Sequence, residues 1–294
     1  MRVLFMGTPE FARVALESLI KNKIEIVGVV TQPDKPVGRK LVLTPPPVKV
    51  CALENNLKVY QPHSLKGEEF AELLNEIAPD IIVVVAYGKI LPKNVIDYPK
   101  FGCVNIHASL LPKYRGAAPI NAAIMAGEKV TGITIIYMDE GIDTGDMILK
   151  GELEIGAAET VGELHDRLAE LGGELIVEAC AQIKAGTAKR EKQSEDGASY
   201  AGKIDNKICE IDWDLPVEQI NNKIRGLSPV PTAFTWLNDK KLKIYKSRIA
   251  DDGILELLEV QIEGGKRMNS GDFINGRKNI AHDEREGSLF RFAR

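Results

Sequence analysis

Residues 80–86, Asp-Ile-Ile-Val-Val-Val-Ala, decide the fold class that this sequence predicts. Pro79 precedes them, and a continuous apolar run of this kind is typical of a parallel strand that is covered on both faces. Towards the N-terminus the pattern alternates between an apolar strand at 2–6, a helical spacing of apolar residues at 9–21 and a second strand at 24–30. Strands and helices in alternation predict an open, mostly parallel, Rossmann-like α/β sheet.

Polar side chains stand at the end of another strand of this predicted sheet. Residues 101–106 predict a short strand, and Asn105 and His107 lie two positions apart at its exit. The two-residue period of a strand puts both side chains on one face, about 6–7 Å apart, and turns Val104 and Ile106 towards a core. Open α/β sheets bind ligands beyond the carboxyl ends of their strands. An amide and an imidazole at this position therefore indicate a site.

Length and composition indicate a globular protein of two domains. A chain of 294 residues suits two unequal domains, and 44% hydrophobic with 27% charged residues is enough for a sizeable core. No apolar run approaches the roughly 18 residues that span a membrane, so no membrane partner is predicted. The four cysteines lack a C-x-x-C spacing, which favours buried free thiols in a reducing cytosol. We expect a cytoplasmic monomer.

The pattern changes after residue 160. Thr160-Val161-Gly162-Glu163 is a capping box that opens a helix, and we expect this helix to be interrupted by Gly172-Gly173 and to stop around Gly186. Residues 187–206 are polar and charged, which predicts a linker. The expected first domain therefore covers residues 1–186.

The predicted second domain covers residues 207–294. A helix is expected to start at Pro216, with Ile220 and Ile224 on its apolar face. Short strands are then predicted at 233–237, 241–249 and 253–262. One helix followed by short strands predicts a small, OB-like β-barrel, a fold that is often used on nucleic acids.

The motifs around the predicted site resemble those of a known family. Residues 105–112, Asn-Ile-His-Ala-Ser-Leu-Leu-Pro, and residues 138–146, Met-Asp-Glu-Gly-Ile-Asp-Thr-Gly-Asp, are similar to the two signatures of the N10-formyltetrahydrofolate-dependent formyltransferases. Residues 6–12, 32–36 and 113–120 narrow the resemblance to the methionyl-tRNA formyltransferases within that family. The resemblance runs with few breaks to about residue 202 and more patchily to about residue 278.

The resemblance implies transfer of the formyl group of 10-formyltetrahydrofolate to the amino group of methionyl initiator tRNA, for the initiation of translation. It implies catalytic roles for Asn105, His107 and Asp143. Acyl transfer needs fixed donors for an oxyanion, which an amide and a protonated imidazole provide, and it needs a nearby carboxylate to move protons. On spacing alone, Asp143 is equally well explained as a turn residue before Thr144-Gly145.

The same resemblance implies a folate site built from two loops and one aspartate. A slot of backbone amides and apolar side chains suits a flat heterocycle that needs hydrogen bonds at its edge. The implied folate-binding residues are Ser109, Leu110, Leu111, Pro112, Ala86, Tyr87, Gly88, Ile90, Leu91 and Asp139.

Two basic stretches are candidates for contacts with tRNA, although a net charge of −4 does not by itself indicate a nucleic-acid binder. Residues 31–48 are proline-rich with no predicted structure of their own, which is typical of functional or disordered loops. The resemblance implies contacts between this loop and the acceptor stem through Arg39 and Lys40. The second stretch, Lys240 to Arg248, is most often a solvated strand face, and a patch for the tRNA backbone becomes the better interpretation only once the resemblance is added. It contributes Lys241, Lys243 and Lys246.

Other classes of site lack their residues. Residues 6–9, Met-Gly-Thr-Pro, contain one glycine, so they match neither a dinucleotide fingerprint nor a P-loop. Ser109 stands outside a G-x-S-x-G elbow. The four histidines share no zinc spacing, and no metal is predicted.

Three alternative functions remain open. A formyltransferase that acts on a sugar-nucleotide amine or on glycinamide ribonucleotide would use the same three catalytic residues. A formyltetrahydrofolate hydrolase would place water where the amine stands. A tRNA-binding module without catalysis would keep the barrel and the basic loop but would not need Asn105, His107 and Asp143 together.

Overall fold

The computed structural model describes residues 1–38, 40–276 and 291–292. Arg39, one of the predicted tRNA contacts, lies outside the described residues. The helices are α1 (Glu10–Lys21), α2 (Pro47–Glu54), α3 (Glu68–Ile77), α4 (Lys93–Ile96), α5 (Pro119–Met125), α6 (Val161–Ala185), α7 (Asn206–Cys209), α8 (Val217–Leu227) and α9 (Ser270–Asn275). The strands are β1 (Val3–Gly7), β2 (Ile26–Val30), β3 (Lys35–Val37), β4 (Val42–Thr44), β5 (Val59–Tyr60), β6 (Ile81–Val85), β7 (Cys103–His107), β8 (Arg115–Gly116), β9 (Val130–Tyr137), β10 (Met147–Glu154), β11 (Tyr200–Ala201), β12 (Ala233–Leu237), β13 (Lys240–Ile249), β14 (Leu255–Ile262), β15 (Met268–Asn269) and β16 (Arg291–Phe292).

A seven-stranded sheet carries the site strand. Its strands lie in the order β10-β9-β7-β6-β1-β2-β5. The pairs β1–β2, β1–β6, β2–β5 and β6–β7 are parallel, whereas β7 and β9 are antiparallel. The mostly parallel α/β sheet predicted from the sequence is confirmed.

The apolar run at 80–86 forms the central strand β6, and all five of its side chains are buried. Burial stabilises the fold by about 1.5–3 kcal/mol for each large apolar side chain, which fixes the place of this strand between β1 and β7. Val84 pairs in register with Asn105 on β7. The position of the site strand is therefore set by the most apolar strand of the sheet.

Helix α6 is more regular than the sequence predicted. It runs from Val161 to Ala185 as one helix, so the predicted interruption at Gly172-Gly173 is wrong. A Cβ on Gly172 would lie 3.0 Å from Cγ2 of Ile106, and a Cβ on Gly173 would lie 2.3 Å from Oγ of Ser18. The two glycines therefore serve the close packing of α6 and do not break the helix.

Residues 31–48, predicted as a loop without structure of its own, contain an antiparallel hairpin of β3 and β4. The prediction was wrong because each strand has only three residues and every one of them is exposed, so no alternation of apolar and polar residues marks them. Lys40 is exposed in the turn between the strands.

The second half of the chain contains an antiparallel sheet. Its strands lie in the order β12-β13-β14-β15, and β16 pairs with β14. The three strands predicted at 233–237, 241–249 and 253–262 are confirmed, with bounds that differ by at most two residues. Helix α8 contributes Ile220 and Ile224 to the core of this sheet. The turn between β13 and β14 is tight, because Gly253 N–H donates to the carbonyl of Ala250 at 2.9 Å.

The chain forms two compact units, each built from several segments. The first contains Met1–Arg115, Gly132–Leu153 and Asp166–Ser199, and the second contains Gly116–Thr131, Glu154–His165 and the chain from Tyr200 onward. The domain bounds expected from the sequence, 1–186 and 207–294 around a linker, stay a prediction. None of the described helices is long and apolar enough to cross a membrane. All four cysteines are buried and free, as predicted.

Candidate active site

Three polar side chains meet at the carboxyl end of β7. The Nδ1 atom of His107 lies 3.5 Å from Oδ2 of Asp143, and the Nδ2 atom of Asn105 lies 3.4 Å from Oδ1 of the same carboxylate. The antiparallel neighbour β9 supplies the loop that carries Asp143 back to β7. The structure therefore brings together the three residues to which the family resemblance implied catalytic roles.

Asp143 belongs to a loop with its own hydrogen bonds. Its backbone is left-handed, with φ of 54°, a conformation that aspartate adopts more readily than most residues. Oδ1 of Asp139 accepts hydrogen bonds from the Gly141 backbone at 2.9 Å and the Thr144 hydroxyl at 2.7 Å. The Asp139 carboxylate thus shapes the turn that aims Asp143 at β7.

Both ring nitrogens of His107 face acceptors. Nε2 lies 2.9 Å from the carbonyl oxygen of Tyr114, and Nδ1 faces Asp143. Only the doubly protonated ring can donate to both. The His107 side chain is 5% exposed, so the ring sits in a largely water-free position.

The hydrogen bonds that Asn105 and His107 make to Asp143 are long, so both residues can also donate to another acceptor. Both distances, 3.4 Å from Asn105 and 3.5 Å from His107, exceed the roughly 2.9 Å of a good N–H···O hydrogen bond. The Asn105 amide also carries a second N–H. An oxygen atom that develops negative charge beside these residues would meet the second N–H of Asn105 and the Nδ1–H of His107, whose contact with Asp143 is long enough to be shared.

The loop after β7 is held by hydrogen bonds from within. The Ser109 hydroxyl donates to the carbonyl of Lys113 at 2.6 Å, and its own carbonyl accepts from the Thr134 hydroxyl at 2.7 Å. Thr134 in turn accepts from the Leu111 backbone N–H at 3.1 Å. Ser109 and Leu111 are buried, whereas Leu110 and Pro112 keep part of their surface accessible. The predicted folate loop is thus present, with two of its four side chains turned inwards.

The second predicted folate loop follows β6, and it too contains both exposed and buried residues. Ala86 and Gly88 are exposed and have positive φ angles, and Ile90 is 89% exposed. Tyr87 and Leu91 lie in the core beneath the loop, and burial raises the pKa of Tyr87 to about 12. The exposed members are available to a ligand, and the buried members support the backbone.

The carbonyl of Tyr87 ties this loop to the rest of the first unit. It accepts from the Thr8 hydroxyl at 3.1 Å and from the Gln32 amide at 3.2 Å. Lys93, just after the loop, forms an ion pair with Glu140 at 2.6 Å. The loop after β6 and the loop that carries Asp139 and Asp143 are therefore linked to each other.

The predicted tRNA contacts are basic residues with different surroundings. In the second unit, Nζ of Lys241 lies 3.9 Å from the ring centroid of Phe234, and Lys246 pairs in register with Glu259. Lys243 is half-buried and Lys246 is exposed. In the first unit, Lys40 is exposed at the tip of the β3–β4 hairpin.

Three polar residues that surround the site carry no signal in the sequence. Besides Thr134, these are Arg115, which is 1% exposed, and Gln193. Gln193 donates to the carbonyls of Asp143 at 2.7 Å and Gly145 at 2.9 Å. It lies in the polar stretch that was taken for a linker, where no periodicity marks an inward-facing side chain.

A metal ion would need a group of side chains that could hold it. Among the described residues, no group of three or more His, Cys, Asp or Glu side chains is arranged to hold an ion. The site offers an amide, an imidazole and a carboxylate, which is a set for hydrogen bonding and proton transfer.

Known proteins resemble this chain over most of its length. Residues 1–180 match the model of the formyl transferase family, and residues 203–252 match the model of the formyl transferase C-terminal domain. The chain belongs to the formyl transferase family. A methionyl-tRNA formyltransferase of Ruminiclostridium cellulolyticum is 45% identical over 303 residues, which cover 95% of this chain and 97% of that protein. The resemblance to methionyl-tRNA formyltransferases within the family is confirmed.

Solved structures agree on the formyl transferase fold. The methionyl-tRNA formyltransferase from Clostridium thermocellum has a TM-score of 0.61 and 22% identity over 89% of this chain and 98% of that chain. The N-formyltransferase from Helicobacter canadensis, in complex with folinic acid and dTDP-3-aminofucose, has a TM-score of 0.67 and 23% identity over 91% and 98%. At these identities the two structures bear on the fold alone.

Proposed function

We propose that this formyl transferase moves the formyl group of 10-formyltetrahydrofolate to the α-amino group of methionyl initiator tRNA. The observation that carries the proposal is the convergence of Asn105 and His107 on Asp143, each with a polar atom within 3.5 Å of its carboxylate, in a chain 45% identical to a methionyl-tRNA formyltransferase. An amide, an imidazole and a carboxylate are the groups that amine formylation requires.

The reaction follows from the positions of these groups. The methionyl amine attacks the formyl carbon, which gives an oxyanion and an ammonium group. Asn105 Nδ2–H and the protonated His107 ring donate to the oxyanion. Asp143 accepts the proton of the ammonium, directly or through a water, and a proton passes to N10 of the folate as the C–N10 bond breaks. The products are the formylated methionyl-tRNA and tetrahydrofolate.

The folate is proposed to bind between the two loops that flank the ends of β6 and β7. Exposed backbone at Ala86 and Gly88, together with the exposed side chain of Ile90, provides edge hydrogen bonds and an apolar wall for the pterin. Asp139 completes this end of the slot. On the other side, Leu110 and Pro112 keep accessible surface for the p-aminobenzoate part, with Ser109 and Leu111 supporting their backbone.

The tRNA is proposed to bind through the β3–β4 hairpin and the antiparallel sheet of the second unit. Lys40 is exposed at the tip of the hairpin, beside Arg39 in the sequence. Lys241, Lys243 and Lys246 share the strand β13. Lysine and arginine side chains neutralise phosphates in a sequence-independent way. We propose a monomer that acts in the cytoplasm at the initiation of translation.

The test is a formyl-transfer assay with several acceptors. Formyl-labelled 10-formyltetrahydrofolate is incubated with the protein and methionyl initiator tRNA, methionyl elongator tRNA, an amino-sugar nucleotide, or no acceptor. We expect label to appear on the initiator tRNA at the highest kcat/KM. Preferential transfer to the amino-sugar nucleotide would replace the proposed acceptor, and release of formate without acceptor would make the protein a hydrolase.

A further inference from the structure

We infer that Gln193 is a positioning residue of the active site, which holds the backbone of the Asp143 turn in the conformation that aims the carboxylate at β7. The inference rests on the proposed function, because it gives Gln193 a task only if Asp143 takes part in formyl transfer. All the residues involved belong to the first compact unit.

The Gln193 amide bridges the two residues that flank the tip of the turn. Its Nε2 donates to the carbonyl of Asp143 at 2.7 Å and to the carbonyl of Gly145 at 2.9 Å. Both N–H groups of the amide are therefore used. The bridge ties the backbone on either side of Thr144 to a single side chain.

Arg115 fixes which end of the amide faces the turn. Its Nε donates to Oε1 of Gln193 at 3.0 Å, and a guanidinium has no acceptor atom. The opposite end of the amide must therefore be the NH₂ group that faces the two carbonyls. Arg115 is itself 1% exposed and pairs with Glu195 at 3.2 Å, so the oxygen end is anchored from the interior.

The stretch that carries Gln193 is pinned at both ends. Glu191 exchanges two backbone hydrogen bonds with Met147, at 2.7 and 3.0 Å. At the other end, the Ser199 hydroxyl accepts from the Tyr114 backbone N–H at 2.9 Å. Between them Gln193 is half-buried while its neighbours Lys192 and Ser194 are exposed. The side chain is therefore delivered to the turn by a stretch with fixed ends.

The turn needs an external hold. Asp143 has φ of 54°, in the left-handed region that residues other than glycine adopt at a cost and keep only where the surrounding structure holds them. Gly141 and Ile142, on its N-terminal side, are exposed. The Asp139 carboxylate braces the start of the turn, and Gln193 braces its end. Without Gln193 the carboxylate would lose its fixed direction towards Asn105 and His107.

The first test compares Gln193→Ala with Gln182→Ala. Gln182 is a matched control, because it belongs to the same unit and its amide donates to Glu178 on the surface of α6. We expect Gln193→Ala to lower kcat about 10- to 100-fold, since a displacement of about 1 Å in a catalytic group can cost 10²-fold. KM for the folate should stay close to the parent value. Parent-like kcat in Gln193→Ala would overturn the inference.

A positioning role is separated from a structural one by a double-mutant cycle. If Gln193 acts through Asp143, Gln193→Ala should cost almost nothing further in an Asp143→Asn background. Equal cost in both backgrounds would overturn the inference. As a second readout, the His107 ring resonances of folded Gln193→Ala should shift towards those of Asp143→Asn, and unchanged resonances would count against it. This readout does not depend on measurable turnover.

The polarity of the amide offers an independent check. Gln193→Glu keeps the shape and the contact with Arg115 but turns a carboxylate oxygen towards the two carbonyls, so it should be at least as impaired as Gln193→Ala. An active Gln193→Glu variant would contradict the bridge. If Asp143→Asn were fully active, the proposed function of the site would fail, whereas an inactive Asp143→Asn with an active Gln193→Ala would remove only the present inference.

Discussion

The carboxylate of Asp143 lies 3.5 Å from the ring of His107 although the backbone of Asp143 is that of a turn residue, with φ of 54°. The two explanations that the sequence leaves open for Asp143, turn residue and site residue, are therefore compatible in geometry. A left-handed residue at this point turns its side chain back towards the end of β7. The conformation that makes Asp143 suitable for a turn also aims its carboxylate.

The first prediction concerns the three residues at the site. Asn105→Ala, His107→Ala and Asp143→Asn are each expected to lower kcat severely, because loss of one oxyanion donor typically costs about 10²–10³ in rate. Folate affinity should stay within a small factor, since none of these substitutions removes the loops that flank the slot. Single-turnover formyl transfer and folate binding measured separately provide the check. Near-normal turnover in Asn105→Ala or His107→Ala would remove the oxyanion role.

The second prediction concerns the glycine pair of α6. Gly173→Ala should lower Tm even though alanine is the better helix former by about 1 kcal/mol, because the new Cβ would lie 2.3 Å from Oγ of Ser18. Ser18→Ala removes that oxygen and should recover part of the loss in the double variant. A Tm above that of the parent in Gly173→Ala would show that the close packing is not tight. Gly186→Ala is no suitable control, because Gly186 has a positive φ.

The sequence predicted the sheet well because the buried strands have a strong signal. The run at 81–85 has five buried apolar side chains in sequence, and no exposed helix or strand among the described residues has the same pattern. The hairpin of β3 and β4 escaped prediction because exposed three-residue strands have no such signal. The interruption predicted at Gly172-Gly173 was wrong because helix propensity does not show that a neighbouring residue packs against the space where a Cβ would be.

The site was predictable to the extent that its residues stand in local motifs. Asn105 and His107 share one strand, so their common direction follows from the strand period. The supporting role of Thr134 and the contacts of Gln193 depend on long-range pairing, and a polar stretch such as 187–206 does not distinguish a side chain that points inwards. The sequence therefore pointed to the side chains that meet at the end of β7 and not to the residues that hold them.

The third prediction concerns pH and the capping box at the start of α6. Glu163 accepts hydrogen bonds from the Thr160 backbone N–H at 2.8 Å and hydroxyl at 2.7 Å, and these hold the pKa of Glu163 below its usual value, the backbone bond most strongly. A pKa lowered on folding stabilises the protein above the unfolded value of about 4.3, and this stability is lost as pH falls through the folded pKa. The Tm difference between the parent and Glu163→Gln should therefore be present at pH 7 and vanish in strong acid. Glu170→Gln, exposed on the same helix, is the control for the loss of one carboxylate outside the capping box.

The fourth prediction concerns the hairpin tip. Lys40→Ala combined with Arg39→Ala should raise KM for tRNA and flatten its dependence on salt, because each neutralised phosphate contributes about 0.9 to the log–log slope. Folate binding should not change. Lys23→Ala, an exposed lysine after α1, is the control for loss of charge alone. A salt slope equal to that of the parent would show that the tip does not contact the tRNA backbone.

The last prediction concerns a chain cut after Gly202. Every residue proposed for folate binding lies in the first compact unit, so the shortened chain is expected to bind folate and to lose most of its activity on tRNA together with Lys241, Lys243 and Lys246. It is also expected to have a lower Tm, because α5 belongs to the second unit: Met125 packs against the core of that unit, and Asn121 donates to Gly226 at 2.8 Å. Met125→Ser in the shortened chain should reduce aggregation by removing exposed apolar surface.

Formylation of methionyl-tRNA by the shortened chain at the full kcat/KM would show that the antiparallel sheet is not a tRNA-binding element. A shortened chain that folds but fails to bind folate would instead place part of the folate site beyond residue 202.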